Sequence, residues 1–329
     1  MKSKATTFAD ILILCTLIAS ITACSQIKRM HASKNYVTKE IKVTDFDGIK
    51  LLGSADIVYT QSKDSTTKVQ IYGSDNVVDL FEVKVIDRTL VVRMRNHINI
   101  FGDTGELKVI ASSPFINRAT LEGSGDIVLK NNIHTADLII QLQGSGDIKS
   151  NGLFCNTLSA TLQGSGDIEL ENTTQTQETI LLMQGSGDIK AKNISAGKAS
   201  FTLQGSGNVK VEGTNNINDL TVKLDGSGDM GVRDIKGIKV NAQLQGSGDI
   251  ELNGNTQFAK LDVNNSGSIN ASDLRSQVVS VSVNGSGNIT CYPINEVTAN
   301  INGSGDVQYK GTPGKVNVSK GGSGKLHKL

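Results

Sequence analysis

The 329 residues carry 33 Lys+Arg against 32 Asp+Glu, with 35 Gly, 3 Pro, no Trp and only 4% aromatics. Balanced charge excludes a nucleic-acid surface built on net basicity. The glycine content argues against a helical protein, because each interior helical Gly costs roughly 0.5–1 kcal/mol relative to Ala; regularly spaced turns would use it well.

The chain opens with Lys2 and Lys4, then the apolar run Ile11-Leu12-Ile13-Leu14-Cys15-Thr16-Leu17-Ile18-Ala19. That run is short for a bilayer span and reads as a signal peptide. It ends in Ile21-Thr22-Ala23-Cys24, which resembles the bacterial lipobox. The expectation is a leader over 1–23, lipid attachment at Cys24, and a lipidated tether over 24–40, so that the membrane is a partner through the anchor. The protein is then exported and membrane-anchored. The absence of an acidic run after Cys24 favours the periplasmic face of the outer membrane over the cell surface. No later segment has 18 consecutive apolar residues.

From 41 to 115 the pattern is irregular, with strand-like runs at Thr67–Tyr72, Val83–Val85, Thr89–Val92 and Leu107–Ile110. Gly53-Ser54-Ala55-Asp56 and Gly73-Ser74-Asp75-Asn76 look like worn copies of the motif described next. The segment reads as longer coils that start and cap a solenoid; a separate N-terminal β-domain is the alternative.

From 116 to 329 one motif dominates. Gly-Ser-Gly-(Asp/Asn) begins at Gly123, Gly144, Gly164, Gly185, Gly205, Gly226, Gly246, Gly285 and Gly303, with Asn265-Ser266-Gly267-Ser268 in the vacant place and Gly322-Ser323-Gly324 at the end. The interval is 18 to 21 residues. A short alternation follows each motif (Ile127-x-Leu129, Ile168-x-Leu170, Val209-x-Val211) and a longer one leads to the next (Leu138-x-Ile140-x-Leu142, Leu220-x-Val222-x-Leu224). Alternation with period two marks half-buried strands. Two strands and two corners in about 20 residues make one coil of an all-β, single-stranded, parallel β-solenoid (β-helix).

The motif residues Gly123, Gly125, Asp126, Gly144, Gly146, Asp147, Gly164, Gly166, Asp167, Gly185, Gly187, Asp188, Gly226, Gly228, Asp229, Gly246, Gly248, Asp249, Gly303, Gly305 and Asp306 are read as structural turn residues. A metal track is disfavoured, because the Asp place holds Asn208, Ser268 and Asn288, which keep an oxygen and lose the charge. That suits a side chain capping backbone N–H groups. Asn265 in the first Gly place suggests positive φ there. Gln143, Gln163, Gln184, Gln204 and Gln245 predict an amide ladder. The outward column Lys149, Glu169, Lys190, Lys210, Gly231, Glu251, Asn270, Thr290 reads as a solvated face. Cys155 and Cys291 are several coils apart, too far for a disulfide, and Cys291 shares the inward parity of Ile289. His31, His97, His134 and His327 are scattered. The sequence predicts no cofactor, metal site or catalytic residue.

The lipobox-like leader, Phe46-Asp47-Gly48-Ile49, and the run of Gly-Ser-Gly-Asp-Ile copies resemble the head GIN domain family, labelled "putative auto-transporter adhesin", over roughly residues 40–329. The resemblance implies a right-handed parallel solenoid and no established activity. It departs from a true auto-transporter, because no outer-membrane barrel follows the solenoid. The expectation is a non-enzymatic cell-envelope lipoprotein acting as an adhesion, scaffold or interaction module. The alternatives are a polysaccharide-binding or polysaccharide-active β-helix, disfavoured by minimal loops and few aromatics, and an envelope polymer joined through the solenoid ends. The sequence designates no protein or glycan partner and no oligomeric state.

Overall fold

The computed structural model describes residues 28–95, 98–102, 105–174 and 176–329. Cys24 and His97 lie outside them. In each regular coil one strand leaves the Gly-Ser-Gly-Asp corner (Ile148–Ser150, Ile168–Leu170, Ile189–Lys192) and a second returns to the next corner (Thr157–Leu162, Thr176–Met183, Ser195–Leu203). Every strand pairs in parallel with its counterpart one coil on, as in Ile148↔Ile168↔Ile189↔Val209 and Leu142↔Leu162↔Met183↔Leu203↔Leu224↔Leu244. The result is a β-solenoid of about ten turns, a rod on the order of 50 Å at about 4.8 Å per turn.

Alternation makes the core. The inward residues of both strands stack into aliphatic ladders such as Ile148, Ile168, Ile189 and Val209, all 0% exposed. Burying each such side chain contributes roughly 1.5–3 kcal/mol. Cys291 continues one of these ladders, and both it and Cys155 are buried and free. They do not pair, as the coil spacing predicts, and burial pushes their thiols up, to about 12 for Cys291 and about 11 for Cys155.

The two corners of a coil are built differently. At the second corner the chain turns through left-handed backbone at Asn172 (φ 51°), Asn193 (φ 54°), Gly213 (φ 72°) and Asp234 (φ 47°), residue types that tolerate that region. The repeated motif glycines are not left-handed, which corrects the expectation drawn from Asn265. They are required by stacking: a Cβ on Gly166 would overlap the carbonyl oxygen of Gly146 and lie 2.8 Å from its carbonyl carbon.

The N-terminal region departs most from the regular pattern. Its elements are β1 (Lys28–His31), β2 (Tyr36–Glu40), β3 (Gly48–Gly53), β4 (Asp56–Gln61), β5 (Lys68–Ser74), the short helix α1 (Asp75–Val78), β6 (Phe81–Ile86), β7 (Thr89–Met94), β8 (Ile98–Phe101) and β9 (Lys108–Ser113). They lead to β10 (Arg118–Gly123) and β11 (Ile127–Leu129). β3 pairs in parallel with both β7 and β10, and β4 with both β9 and β11. The first coil in sequence is therefore the second in space, held between a later coil and the regular stack. Beyond it the pairing turns antiparallel: β6 on β7, β5 on β9 and β2 on β5. Gly53–Asp56 does form a corner, stacked under Gly123 and Gly125. Gly73–Asn76 does not, because it ends an antiparallel strand and enters α1. The stretch expected as a tether also contains structure: β1 pairs with β8, and Val37 of β2 packs against the core.

At the far end Lys315–Lys320 and Leu326–Lys328 form a further coil. Ile301 is opposite Lys320, and Tyr309 is opposite Lys328.

Candidate functional site: the corner ladder and the two lateral faces

The corner assembles a one-way hydrogen-bond series. Except at Asn288, whose counterpart Ser268 has no Oδ1, the N–H of the residue in the Asp place donates to Oδ1 of its counterpart one coil earlier: Asp126 to Asp56 (2.9 Å), Asp147 to Asp126 (2.8 Å), Asp167 to Asp147 (2.9 Å), Asp188 to Asp167 (2.8 Å) and Asn208 to Asp188 (2.9 Å). It continues through Asp229 to Asn208 (3.2 Å), Asp249 to Asp229 (2.9 Å) and Ser268 to Asp249 (2.9 Å), then Asp306 to Asn288 and Lys325 to Asp306 (both 2.8 Å). Asn replaces Asp without breaking the series because it keeps Oδ1. Ser145, Ser165 and Ser186 donate their N–H groups to the carbonyls of Gly123, Gly144 and Gly164, each at 2.9 Å. Gly185, Gly187, Gly226, Gly228, Gly246, Gly248, Gly303 and Gly305 occupy the same corner, each over the carbonyl oxygen of the coil before. Beside it Gln143, Gln163, Gln184 and Gln204 form an amide ladder at 2.8–2.9 Å. Asp225 replaces the amide one coil later, and Asn264, Asn284 and Asn302 take the ladder up again. Among the described residues no group of three or more His, Cys, Asp or Glu is placed to hold a metal ion.

The strand after the corner presents a charged face, in which lysines from the outward column neutralise the corner carboxylates. Lys149 Nζ lies 3.1 Å from Asp147, and Lys190 Nζ lies 2.8 Å from Asp167, 3.9 Å from Asp188 and 4.0 Å from Glu169. Burial raises the Asp167 carboxyl, but the hydrogen bonds from Lys190 and from the Asp188 N–H outweigh it and hold it below the ordinary carboxylate value. Lys190 is raised in turn, first by its bond to Asp167.

One coil breaks this face. In the outward column Gly231 follows Lys210, and a Cβ built there meets nothing within 4 Å. The next member is Glu251, not Lys. A notch of about 480 Å³ opens, lined by Lys210, Glu212, Asp229, Arg233, Asp249 and Glu251 among others. Asp229 and Asp249 are exposed, whereas Asp147, Asp167 and Asp188 are half-buried. Arg233 reaches Glu251 at 3.7 Å, and among the described residues no ion pair reaches Asp229 or Asp249. The solvated-face reading of this column overlooked the notch, although the lone glycine between Lys210 and Glu251 was its signal.

The returning strand presents two outward columns rich in half-buried hydroxyls and amides, including Ser159, Thr161, Ser200, Thr202, Asn241, Gln243, Ser280 and Ser282, beside an exposed column that carries Asp137, Glu178, Lys198, Asp219 and Lys239. Lys223 interrupts the two polar columns, as do Lys260 and Asp262, which pair at 3.1 Å. His31, His134 and His327 are exposed and far apart in sequence, with His134 stacked on Phe154 at 4.6 Å.

A family model described as "Putative auto-transporter adhesin, head GIN domain" matches residues 45–218 and 201–313. The chain belongs to this family. Head GIN membership rests on both the cap coils and the regular coils, since the two matched ranges span them. Among solved structures the chain is similar to a putative adhesin from Bacteroides fragilis, at 25% identity over 91% of this chain and 100% of that one, with a TM-score of 0.32. It is similar to a putative lipid binding protein from Parabacteroides distasonis, at 24% identity over 92% and 100%, with a TM-score of 0.34. A putative adhesin from Parabacteroides merdae shares 20% identity over 92% and 99%, with a TM-score of 0.37. No curated protein matches. The head GIN family is an adhesin-type family, consistent with an exported or envelope protein. No helix among the described residues is long and apolar enough to cross a membrane.

Proposed function

We propose that the chain is a non-enzymatic, adhesion-like interaction module of the cell envelope, tethered by lipid at Cys24 and presenting the sides of a rigid rod. One observation carries this reading. The polar groups repeated at every corner bond to the neighbouring coil, so the repeat supplies architecture, and recognition is left to the outward columns that vary from coil to coil. Catalysis in a solenoid needs grouped acids and bases placed on substrate; here Asp147, Asp167 and Glu171 of the charged face are each paired with a lysine of the same face.

In-cell crosslinking of the wild-type chain, followed by identification of what is attached, tests the module: a reproducible envelope partner is expected. Depolymerisation of a glycan by the purified chain would overturn the non-enzymatic reading. Cys24→Ser is expected to release the chain from membranes, and unchanged membrane association would overturn the anchor.

A further inference from the structure

The exposed column of the returning strand changes character part-way along the rod. Through the parallel registers it reads Asp219, Lys239, Phe258, Val278, Glu296 and Lys315, one residue per coil. Phe258 is 49% exposed, and Ile238, whose carbonyl accepts the Phe258 N–H at 2.9 Å, is 45% exposed. With half-buried Val278 they form a small apolar patch that the chain itself leaves uncovered. The charges on either side of the patch are opposites. Counting outward from the midpoint between Phe258 and Val278, Lys239 matches Glu296, and Asp219 matches Lys315. Glu296 and Lys315 pair within the chain at 2.8 Å. Among the described residues no ion pair reaches Asp219 or Lys239.

We propose that this face binds a second copy of the chain, with the two rods antiparallel and a two-fold axis passing between Phe258 and Val278. The axis lies in the plane of the contact and perpendicular to the rods, so each column faces itself in reverse order. Phe258 then packs on Val278 of the second copy, Lys239 meets Glu296 of the second copy, and Asp219 meets Lys315 of the second copy. Each contact occurs twice. A parallel pair would instead set Asp219, Lys239, Glu296 and Lys315 each against itself, and like charges brought together oppose association. The polar column beside the patch accepts the antiparallel register, since Asn241 meets Thr298 and Lys260 meets Ser280, with no like charges opposed. Six coils at about 4.8 Å, across a strand of about six residues, give a footprint on the order of 600 Å² per copy, the size of a weak, reversible contact. This pairing joins rods by their flanks and goes beyond the interaction-module reading, on which it does not depend.

Sedimentation equilibrium of the purified chain tests the pairing. Wild type is expected to form a concentration-dependent dimer, and Phe258→Asp, at an exposed side chain, to stay monomeric. Lys239→Glu and Glu296→Lys each oppose like charges at two places and should weaken dimerisation roughly tenfold or more. A one-to-one mixture of these two variants should recover it, because every introduced charge then faces its opposite. A short bis-maleimide should join a mixture of Lys239→Cys and Glu296→Cys chains and neither variant alone, since the two positions meet only between antiparallel copies. A wild-type chain that stays monomeric at its highest soluble concentration, or a Phe258→Asp chain that dimerises equally well, overturns the interface. Failure of the charge-swapped mixture to recover overturns the register, and crosslinking of either Cys variant alone overturns the antiparallel order. Thermal melts of each variant separate loss of pairing from loss of fold.

Discussion

The two corners of each coil solve the same problem, reversing the chain in a few residues, by different means. At the Gly-Ser-Gly-Asp corner the constraint comes from the neighbour: successive backbones approach so closely that a Cβ would overlap a carbonyl. At the second corner the constraint is local: single residues at Asn172, Asn193 and Gly213 take left-handed backbone. The first kind of corner forces the same residues to recur in every coil. The second accepts Asn, Asp or Gly, and for that reason leaves no fixed motif in the sequence.

Substitutions can break this contrast in graded order. Gly166→Ala should be the most damaging, because the rigid carbonyl of Gly146 cannot move aside; a loss of about 3 kcal/mol or more is expected in denaturant melts. Asp167→Ala leaves the Asp188 N–H without its acceptor and removes the partner of Lys190, costing about 1–3 kcal/mol. At the second corner Asn193→Ala should cost about 1–2 kcal/mol, since Ala lacks the tolerance of Asn for its φ of 54° and loses the side-chain bonds to Asn172 and from the Thr214 N–H, while Asn193→Gly, which loses the bonds without the backbone strain, should cost less. If Asn193→Ala proved worse than Gly166→Ala, the distinction between neighbour-imposed and local constraint would be wrong. The smallest effect belongs to Asp167→Asn, which keeps the ladder acceptor and loses only the half-exposed pair with Lys190, below about 1 kcal/mol.

Acidification sharpens the same point. The Asp167 carboxyl sits below its ordinary value in the folded chain, so its stabilisation is present above the ordinary carboxylate range, about pH 4. It is lost as pH falls through the lowered folded value. Wild type should therefore lose more melting temperature between pH 7 and pH 3 than Asp167→Asn does. Equal losses would remove Asp167 from the account.

The regular coils were legible because their constraint repeats. The spacing of Gly123, Gly144 and Gly164, with the alternation of Ile127, Leu129, Leu138 and Ile140, fixes strand, corner and inward face together. Even there the reason for glycine was misread, since Asn265 pointed to φ and the structure points to stacking. The cap was less legible. No local pattern tells that Gly48–Gly53 will be sandwiched between Thr89–Met94 and Arg118–Gly123, because order along the chain and order in space differ. The notch was visible as a single glycine in a charged column, but its meaning needed the pairing register that sets Gly231 beside Lys210 and Glu251.

That sandwiched coil has a kinetic consequence. Most of the rod is a nearest-neighbour stack, in which each turn needs only the turn before it. The coil of β3 and β4 needs strands on both sides that come later in the chain, with β9 and β11 more than 50 residues downstream of their partners. Its formation carries the entropy of closing long loops. The part of the chain made first should therefore be slow to reach its final protection from hydrogen exchange, lagging behind regular turns that are synthesised after it.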